Sequence, residues 1–403
     1  MKYYITGGEF NNKGAEAMTL VALYNIYRND KDAVIYMNKG IGLPPFKLSK
    51  PINYIYLPLC QVYKLIGKHF TGYGCAKLKD FIKFFIPGYD SSFASKNRIE
   101  TILSSIDIVI DVSGYAFCSK WPEEDNLIWL DYLTCLQKYI KRIYLMPQSF
   151  GPIDFESQSI VLYAKKVFTK CTKIFVREES GYKCLQEMGL NNIELCDDSV
   201  LIDNNYTPRE LIDGFNSYLE SYNIESSHNI AIVPNYRIVD TAQKKLDELI
   251  DFYSEIIESY MEQYCFWLIP HAREDLIICE KIKEKFAYKN RVKLVDHVLL
   301  SFNYEELVEK MDFIIASRYH SIIHAYKKNV PAVILGWADK YVSLAQNMDQ
   351  SQYLIDYSKH DEAFAKVKRM ANNYNSESDI IKTRLELLQK QSCYSFLQMN
   401  NLL

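Results

Sequence analysis

Short apolar segments alternate with amphipathic segments over most of the chain. The first apolar segment, KYYITGG (2–8), has the length of a strand and ends in a glycine turn. The next segment, residues 14–29, places Ala17, Leu20 and Val21 on one face at helical spacing, which predicts a helix. Similar apolar segments recur and predict further strands at residues 33–38, 105–114, 142–152, 173–179 and 192–201.

A second series of apolar segments begins after a polar stretch, residues 202–229. Apolar strands that alternate with helices are typical of parallel sheets covered on both faces. We therefore expect an α/β protein with two Rossmann-like domains, residues 1–205 and 206–375, that face each other across a cleft. Residues 376–403 contain a capped helix, which we expect to return to the first domain. The strands of the second series are predicted at residues 229–235, 265–270, 292–297, 312–318 and 331–336.

Polar side chains follow the predicted strands in both domains. Ligands of open parallel sheets bind at the carboxyl ends of the strands, so these positions are candidate substrate-binding residues. Taken singly, each of them is more often a strand-end cap or a turn residue. The candidates are Ser113, Gly114, Gln148, Ser149 and Arg177 in the first domain and Asn235, His271, Ser317 and Lys340 in the second.

An arginine and a histidine stand where a predicted strand passes into a helix, in SRYHSIIHAYKK (317–328). Ser317 suits the N-cap, which would put Arg318 and His320 in the first helical turn. Free N–H groups, the helix dipole and the planar guanidinium would make that turn an anion site. The dipole would lower the pKa of His320 and a bound dianion would raise it, which suits a general acid. The alternative is an arginine–histidine pair that is only a surface feature.

His324 follows His320 by four residues and lies on the same helix face. That spacing raises the hypothesis of a metal site. However, Ser321 occupies the place of the glutamate in an H-E-x-x-H motif, and no third ligand is evident. We therefore expect no metal and interpret His324 as a core or supporting histidine.

The loop TGGEFNNKGAEA (6–17) joins the first predicted strand to the first helix. Gly8 and Gly14 permit close approach of the backbone to a ligand, with Asn12 between them. The loop has neither the G-x-G-x-x-G nor the P-loop pattern, so a tight turn without a ligand is an equal alternative.

Charge and composition argue against several classes of function. The net charge of −3 argues against a nucleic-acid partner. None of the ten cysteines forms a C-x-x-C pair, which indicates buried thiols in a reducing compartment. The N-terminal residues lack a signal-peptide pattern, and no apolar run has the length of a membrane span, so we expect a cytoplasmic protein.

Segment 63–86 is basic and aromatic, with five lysines and one aspartate. Such a surface can bind anionic lipid, which predicts a peripheral contact with the inner face of a membrane. The alternative is a helical hairpin that packs on its own domain.

Five motifs in order make the sequence resemble the polysaccharide pyruvyl transferase family. The first is GGEFNNKGAEA, in which Ala15 replaces the aspartate of the family pattern N-x-G-D-E-A. The others are QSFGP (148–152), VREES (176–180, one residue shorter than the family pattern), Asp198 in CDDSVL, and S-R-x-H followed by V-P and a lysine within 317–340. The resemblance runs over roughly residues 5–345.

The resemblance implies a GT-B-like fold and transfer of pyruvate from phosphoenolpyruvate to two hydroxyls of a sugar. The products would be a cyclic ketal and free phosphate, in the synthesis of a capsule or exopolysaccharide. It implies that Arg318 and His320 are essential, that phosphoenolpyruvate is the donor and that no further cofactor is used. We expect the acceptor, a sugar that could be lipid-linked, on the first domain and phosphoenolpyruvate on the second.

Two other functions fit parts of the sequence. A GT-B nucleotide-sugar glycosyltransferase would also need an anion site at a helix N-terminus, but no convincing E-x(7)-E helix is evident. A non-catalytic module that binds glycans or anions is the other alternative.

Overall fold

A computed structural model of the chain describes most of its residues: 1–10, 12–38, 44–55, 57–68, 96–203, 207–215, 222, 224, 228–241, 246–336, 338–356 and 358–399. Within these ranges no helix is both long and apolar enough to cross a membrane. The predicted lipid-binding segment 63–86 lies largely outside the described residues, which end at residue 68 and resume at residue 96.

The first domain is built on a sheet of parallel strands: β1 (Lys2–Thr6), β2 (Val34–Asn38), β3 (Ile52–Ile55), β4 (Ile108–Asp111), β5 (Arg142–Gln148), β6 (Lys173–Val176) and β7 (Ile193–Leu195). Their order is β3-β2-β1-β4-β5-β6-β7, and Ile5 lies opposite both Met37 and Ile110. All residues of β4 are buried, because helices cover both faces of the sheet. The order reverses between β1 and β4, and in open parallel sheets such a reversal is where a ligand is expected, at the carboxyl ends of the strands.

The helices of the first domain are α1 (Lys13–Asn29), α2 (Leu59–Ile66), α3 (Lys96–Ser104), α4 (Glu123–Tyr139), α5 (Gln158–Phe168), α6 (Glu179–Glu187) and α7 (Ser199–Ile202). The short helix α8 (Pro208–Leu211) follows in the polar stretch that connects the two domains. Helix α1 begins where the sequence predicted a helix. The side chain of Asn12 accepts a hydrogen bond from the amide of Gly14 at 3.0 Å and thereby caps α1.

The second domain repeats this architecture with β8 (Asn229–Val233), β9 (Cys265–Leu268), β10 (Val292–Leu294), β11 (Phe313–Ala316), β12 (Ala332–Leu335) and β13 (Leu354–Ile355). These strands are parallel and lie in the order β10-β9-β8-β11-β12-β13. Its helices are α9 (Arg237–Thr241), α10 (Leu246–Tyr260), α11 (Leu276–Lys285), α12 (Ser301–Val308), α13 (Tyr319–Lys327) and α14 (Asp339–Asn347). The predicted pair of Rossmann-like domains with a GT-B-like arrangement is confirmed.

The C-terminal part of the chain returns to the first domain, as predicted. The aromatic rings of Phe396 and Tyr144 stack with centroids 3.8 Å apart, and the side chain of Gln391 accepts a hydrogen bond from the amide of Asp197 at 3.1 Å. The prediction that the last long helix begins near residue 376 is wrong, because α15 spans His360–Leu388. No glycine or proline interrupts that range, so nothing in the sequence ends the helix earlier. A short helix, α16 (Ser395–Met399), follows it.

The two domains are in direct contact beside their sheets. The buried carboxylate of Glu16 in α1 accepts a hydrogen bond from the amide of Ser301, at the start of α12, at 2.7 Å. The side chain of Asn347 donates to Asp197 at 2.8 Å on another part of the interface. Because each of these bonds joins one domain to the other, they hold the two domains together at this interface.

Candidate active site

Residues of both domains meet at the N-terminal end of α13. Nε2 of His320 lies 3.5 Å from Oδ2 of Asp198, and the guanidinium carbon of Arg177 lies 5.1 Å from the centroid of the Tyr319 ring. A Cβ on Gly14 would come within 2.2 Å of Nδ1 of His320, so the first turn of α1 lies directly against the imidazole. Positions predicted from separate motifs thus form one cluster between the domains.

Arg177 is the centre of a buried network in the first domain. Its Nη1 donates to Oδ2 of Asp198 at 2.6 Å, and its Nη2 donates to the carbonyl of Gly114 at 2.8 Å and to Oγ of Ser149 at 2.7 Å. Ser149 in turn donates to Glu178 at 2.8 Å. Three of the predicted binding residues therefore hold one another and fix Asp198, since a buried guanidinium needs such partners.

The surroundings of His320 act in opposite directions on the protonation of its imidazole. Burial is the main cause that lowers its pKa below the ordinary value, Asp198 opposes that shift, and Arg177 adds to it. Burial alone would raise the pKa of Asp198, but His320 and Arg177 together lower it below its ordinary value. Asp198 is therefore a carboxylate that favours the imidazolium form of His320.

The position of Arg318 relative to α13 and its hydrogen-bond partners both differ from what the sequence predicted. Helix α13 begins at Tyr319, so Arg318 is the N-cap residue rather than part of the first turn. Its Nε and Nη2 donate to the two carboxylate oxygens of Asp275 at 2.9 and 2.6 Å, and Nη2 also donates to Glu274 at 2.8 Å. The guanidinium fork expected for a substrate is therefore already partly occupied by carboxylates of its own domain.

Ser317 is not the N-cap of α13, so that prediction is wrong. Its carbonyl accepts hydrogen bonds from Nδ2 of Asn235 and from the hydroxyl of Tyr341, both at 2.9 Å. Its own hydroxyl points back toward the carbonyl of Val233, 3.4 Å away. Ser317 and Asn235 thus join the ends of β8 and β11, and Arg318 is the N-cap residue of α13.

Two further histidines lie behind the site in the second domain. Nδ1 of His324 lies 2.7 Å from the carboxylate of Glu305, and its ring centroid is 6.3 Å from that of His271. Burial is the main cause that lowers the pKa of His271 well below its ordinary value, and the charges of His324 and Arg318 add to the shift. The interpretation of His324 as a core histidine agrees with this geometry.

Lys340 reaches from the start of α14 across aromatic rings of both domains. Its Nζ lies 5.6 Å from the ring centroid of Tyr115, 5.1 Å from that of Tyr319 and 5.8 Å from that of Tyr341. Burial lowers the pKa of Lys340 to about 8, and the charge of Arg177 adds to the shift. The predicted binding lysine therefore lies at the interface and is mostly cationic at neutral pH.

The three residues predicted in the first motif, Gly8, Asn12 and Gly14, have different roles in the structure. Gly14 is required because any side chain there would overlap His320, whereas a Cβ on Gly8 would come within 2.7 Å of Oγ1 of Thr19. Asn12 caps α1. We find Gly8 and Asn12 engaged in packing and capping, and Gly14 in contact with the site.

Asp111, Ser113 and Gln148 form a second polar group at the carboxyl ends of β4 and β5. Asp111 accepts hydrogen bonds from the amide of Ser113 at 3.2 Å, from its hydroxyl at 2.9 Å and from Nε2 of Gln148 at 3.2 Å. Burial raises the pKa of Asp111 to about 6, and these hydrogen bonds limit the rise. Ser113 and Gln148, predicted to bind substrate, thus hold this carboxyl group.

Sequence reasoning missed several carboxylates that the structure places near the site or at the domain interface. Asp275 and Glu274 follow β9 in HARED (271–275), where their position after a strand was the available signal. Glu16 lies in the first motif but bonds a residue 285 positions away, which no local pattern reveals. Within the described residues, no group of three or more histidine, cysteine or acidic side chains has the arrangement of a metal site.

Comparison with known families and solved structures supports the motifs and the two-domain fold described above. The profile of the polysaccharide pyruvyl transferase family matches residues 12–339. No curated protein matches the sequence.

Solved structures share the fold at low sequence identity. A UDP-GlcNAc 2-epimerase from Neisseria meningitidis bound to UDP-GlcNAc aligns with a TM-score of 0.51 and 12% identity over 97% of this chain and 100% of that chain. The S. aureus MnaA structure with UDP aligns with a TM-score of 0.54 and 11% identity over 94% and 91%. A trehalose-phosphate synthase from Burkholderia vietnamiensis aligns with a TM-score of 0.51 and 9% identity over 100% and 96%. These similarities concern the two-domain fold alone.

Proposed function

The chain belongs to the polysaccharide pyruvyl transferase family, and from that premise we propose that it transfers pyruvate from phosphoenolpyruvate to two hydroxyls of a sugar. The products are a cyclic pyruvate ketal and inorganic phosphate. The observation that carries the proposal is the pairing of His320 with Asp198 across the domain interface, at the N-terminal end of α13 and beside the cations Arg318 and Lys340.

Phosphoenolpyruvate carries a carboxylate and a phosphate, so its site must supply several positive groups. The N-terminal N–H groups of α13, Arg318 and Lys340 can do this from the second domain. The terminal nitrogens of Arg177 are engaged by Asp198, Gly114 and Ser149, so Arg177 supports the site from within the first domain. We therefore assign phosphoenolpyruvate to the second domain, residues 206–375, and the sugar to the first, residues 1–205.

His320 is the general acid in this proposal. A bound dianion raises the pKa of an adjacent imidazole, and Asp198 acts in the same direction. The imidazolium then donates its proton to the enol methylene carbon, which becomes the methyl group and leaves an oxocarbenium-like centre at C2. One sugar hydroxyl attacks C2 and loses its proton, phosphate leaves with its oxygen, and the second hydroxyl attacks C2 and loses its proton to close the ketal.

The acceptor is a sugar of a capsule or exopolysaccharide precursor, and the reaction takes place in the cytoplasm, where phosphoenolpyruvate is available. A lipid-linked acceptor would bring the enzyme to the inner face of the membrane. Segment 63–86 is the predicted contact with that surface, and its test is sedimentation with anionic liposomes before and after its five lysines are neutralised. Unchanged sedimentation would end that part of the proposal.

The function is tested by phosphate release from phosphoenolpyruvate against a panel of sugars and lipid-linked saccharides, with mass spectrometry of each product. We expect release with at least one acceptor, whose mass increases by that of pyruvic acid less one water. UDP-GlcNAc serves as the comparison donor. Sugar transfer from UDP-GlcNAc without any use of phosphoenolpyruvate would contradict the proposal.

A further inference from the structure

We propose that Glu274 competes internally with the anionic substrate for Arg318, whereas Asp275 is a positioning residue that holds the guanidinium toward the cleft. The inference rests on the proposed function, because the competing anion is a charged group of phosphoenolpyruvate. Nothing in the family motifs quoted above involves either carboxylate.

The two carboxylates contact Arg318 in different ways. Asp275 is fully buried, and its two oxygens accept from Nε and Nη2 of Arg318 at 2.9 and 2.6 Å. The same oxygens also accept hydrogen bonds from the amide of Tyr236 at 2.9 Å and from the amide of Ala272 at 2.8 Å. Four hydrogen bonds therefore fix Asp275, so it cannot leave Arg318 without a large cost.

Glu274 is held much more loosely. Its side chain is 40% exposed and accepts one hydrogen bond, from Nη2 of Arg318 at 2.8 Å. An ion pair at such an exposed position is worth little and exchanges readily with other anions. Glu274 can therefore swing into solvent while Asp275 keeps the guanidinium in place.

The geometry of the guanidinium explains why an anion must displace Glu274. A guanidinium has one edge that presents Nε with a terminal nitrogen and another that presents the two terminal nitrogens. Asp275 occupies the first edge of Arg318, and Glu274 occupies half of the second. Nη1 of Arg318 makes no hydrogen bond within the described part of the chain. A carboxylate or phosphate that binds both terminal nitrogens must therefore take the place of Glu274.

This division predicts opposite effects for two neighbouring substitutions. Glu274→Gln removes the competitor and a nearby negative charge, so anions should bind more tightly. Asp275→Asn also removes a negative charge, but it releases Arg318 from its orientation, so anions should bind more weakly. A simple effect of net charge would instead raise the affinity in both variants.

Calorimetric titration with inorganic phosphate and with phosphoenolpyruvate measures these effects. For Glu274→Gln we expect the Kd of both anions to fall by about threefold to tenfold. Glu309→Gln is the matched control, since Glu309 is also half-exposed and paired with a cation, Lys328 at 3.7 Å. It should leave both Kd values within about twofold. For Asp275→Asn we expect both Kd values to rise by at least about fivefold in protein that retains its fold.

The outcomes separate this inference from the proposed function. An unchanged or higher Kd for phosphate in Glu274→Gln overturns the competitor role, even if the wild type uses phosphoenolpyruvate. Tighter phosphate binding by Glu274→Gln supports it, even if no sugar is pyruvylated and the proposed function fails. An increase in affinity in Asp275→Asn would overturn the positioning role.

Discussion

Nε2 of His320 lies 3.5 Å from Oδ2 of Asp198, so an imidazole of the second domain and a buried carboxylate of the first form one pair across the domain interface. Arg177 holds the carboxylate at 2.6 Å from the side of the first domain. The protonation of the proposed general acid therefore depends on a residue that a separate domain supplies.

Replacing Asp198 with asparagine should move the pH profile. Asp198 raises the pKa of His320, so its loss lowers that pKa further. Because the proposed reaction needs the imidazolium, activity should fall as pH rises through this pKa. We expect the falling limb of kcat/KM for phosphoenolpyruvate to move to lower pH in Asp198→Asn.

The neighbouring residue provides a matched control for that experiment. Asp197 accepts a hydrogen bond from Asn347 at 2.8 Å and does not contact His320. Asp197→Asn should leave the falling limb where it is. A profile of Asp198→Asn that coincides with the wild type, in protein with an intact thermal transition, would remove Asp198 from the proton transfer.

Gly14→Ala tests whether the close approach of the first turn of α1, with the loop that leads into it, determines the place of the imidazole. A Cβ there would meet Nδ1 of His320 at 2.2 Å, although alanine is otherwise favourable in a helix. We expect a loss of at least about tenfold in kcat, because His320 must move. In a His320→Ala background the clash is absent, so the same change should cost no thermal stability. A Gly14→Ala enzyme with wild-type kcat would show that the loop does not position the imidazole.

Arg318→Lys should weaken the binding of phosphoenolpyruvate. A lysine cannot bind both oxygens of Asp275 and still present a planar edge to an anion. We expect KM for phosphoenolpyruvate to rise by at least about tenfold, as measured by steady-state phosphate release. Arg384→Lys, on α15 where Nε donates to the carbonyl of Asn347 at 2.8 Å, is the control that should keep the wild-type KM. Unchanged saturation by phosphoenolpyruvate would count against the role of Arg318.

The sequence predicted the architecture well because strand and helix periodicities are local. Apolar segments such as 105–114 and 312–318 became β4 and β11, and the order of the motifs placed Arg177 and His320 at strand ends. The cap of α13 was mispredicted, because the carbonyl of Ser317 is held by Asn235 and Tyr341 from other parts of the chain.

Partners that are distant in sequence account for the rest of the site. The hydrogen bonds between Arg318 and Asp275 join residues 43 positions apart, and the bond between Glu16 and Ser301 joins residues 285 positions apart. Both interactions arise when strands or domains come together, and neither follows from helix caps or apolar periodicity. Any cation near a strand end could have been the substrate ligand on sequence alone, so the pairing of Arg318 could be found only in three dimensions.

Asp111 should make the stability of the protein depend on pH in an unusual direction. Burial raises the pKa of this carboxyl group from 3.8 to about 6 in the folded protein. The folded state therefore binds the proton more tightly, and this contribution to stability is full below pH 3.8 and is lost as pH rises through about 6.

Asp111→Asn removes that dependence. Relative to the wild type, its free energy of unfolding should increase by on the order of 2–3 kcal/mol between pH 4 and pH 7. Urea denaturation of both proteins across this range measures the difference. A constant difference between the two proteins would show that the pKa of Asp111 is the same in the folded and the unfolded state.

The central claim is that His320 supplies the proton for the use of phosphoenolpyruvate, and phosphate release by His320→Ala tests it most directly. With the acceptor saturating and the fold intact, turnover should fall by at least about a hundredfold. His297→Ala, a surface histidine with 53% of its side chain exposed, should keep the wild-type rate. Turnover of His320→Ala within a fewfold of the wild type would contradict the account.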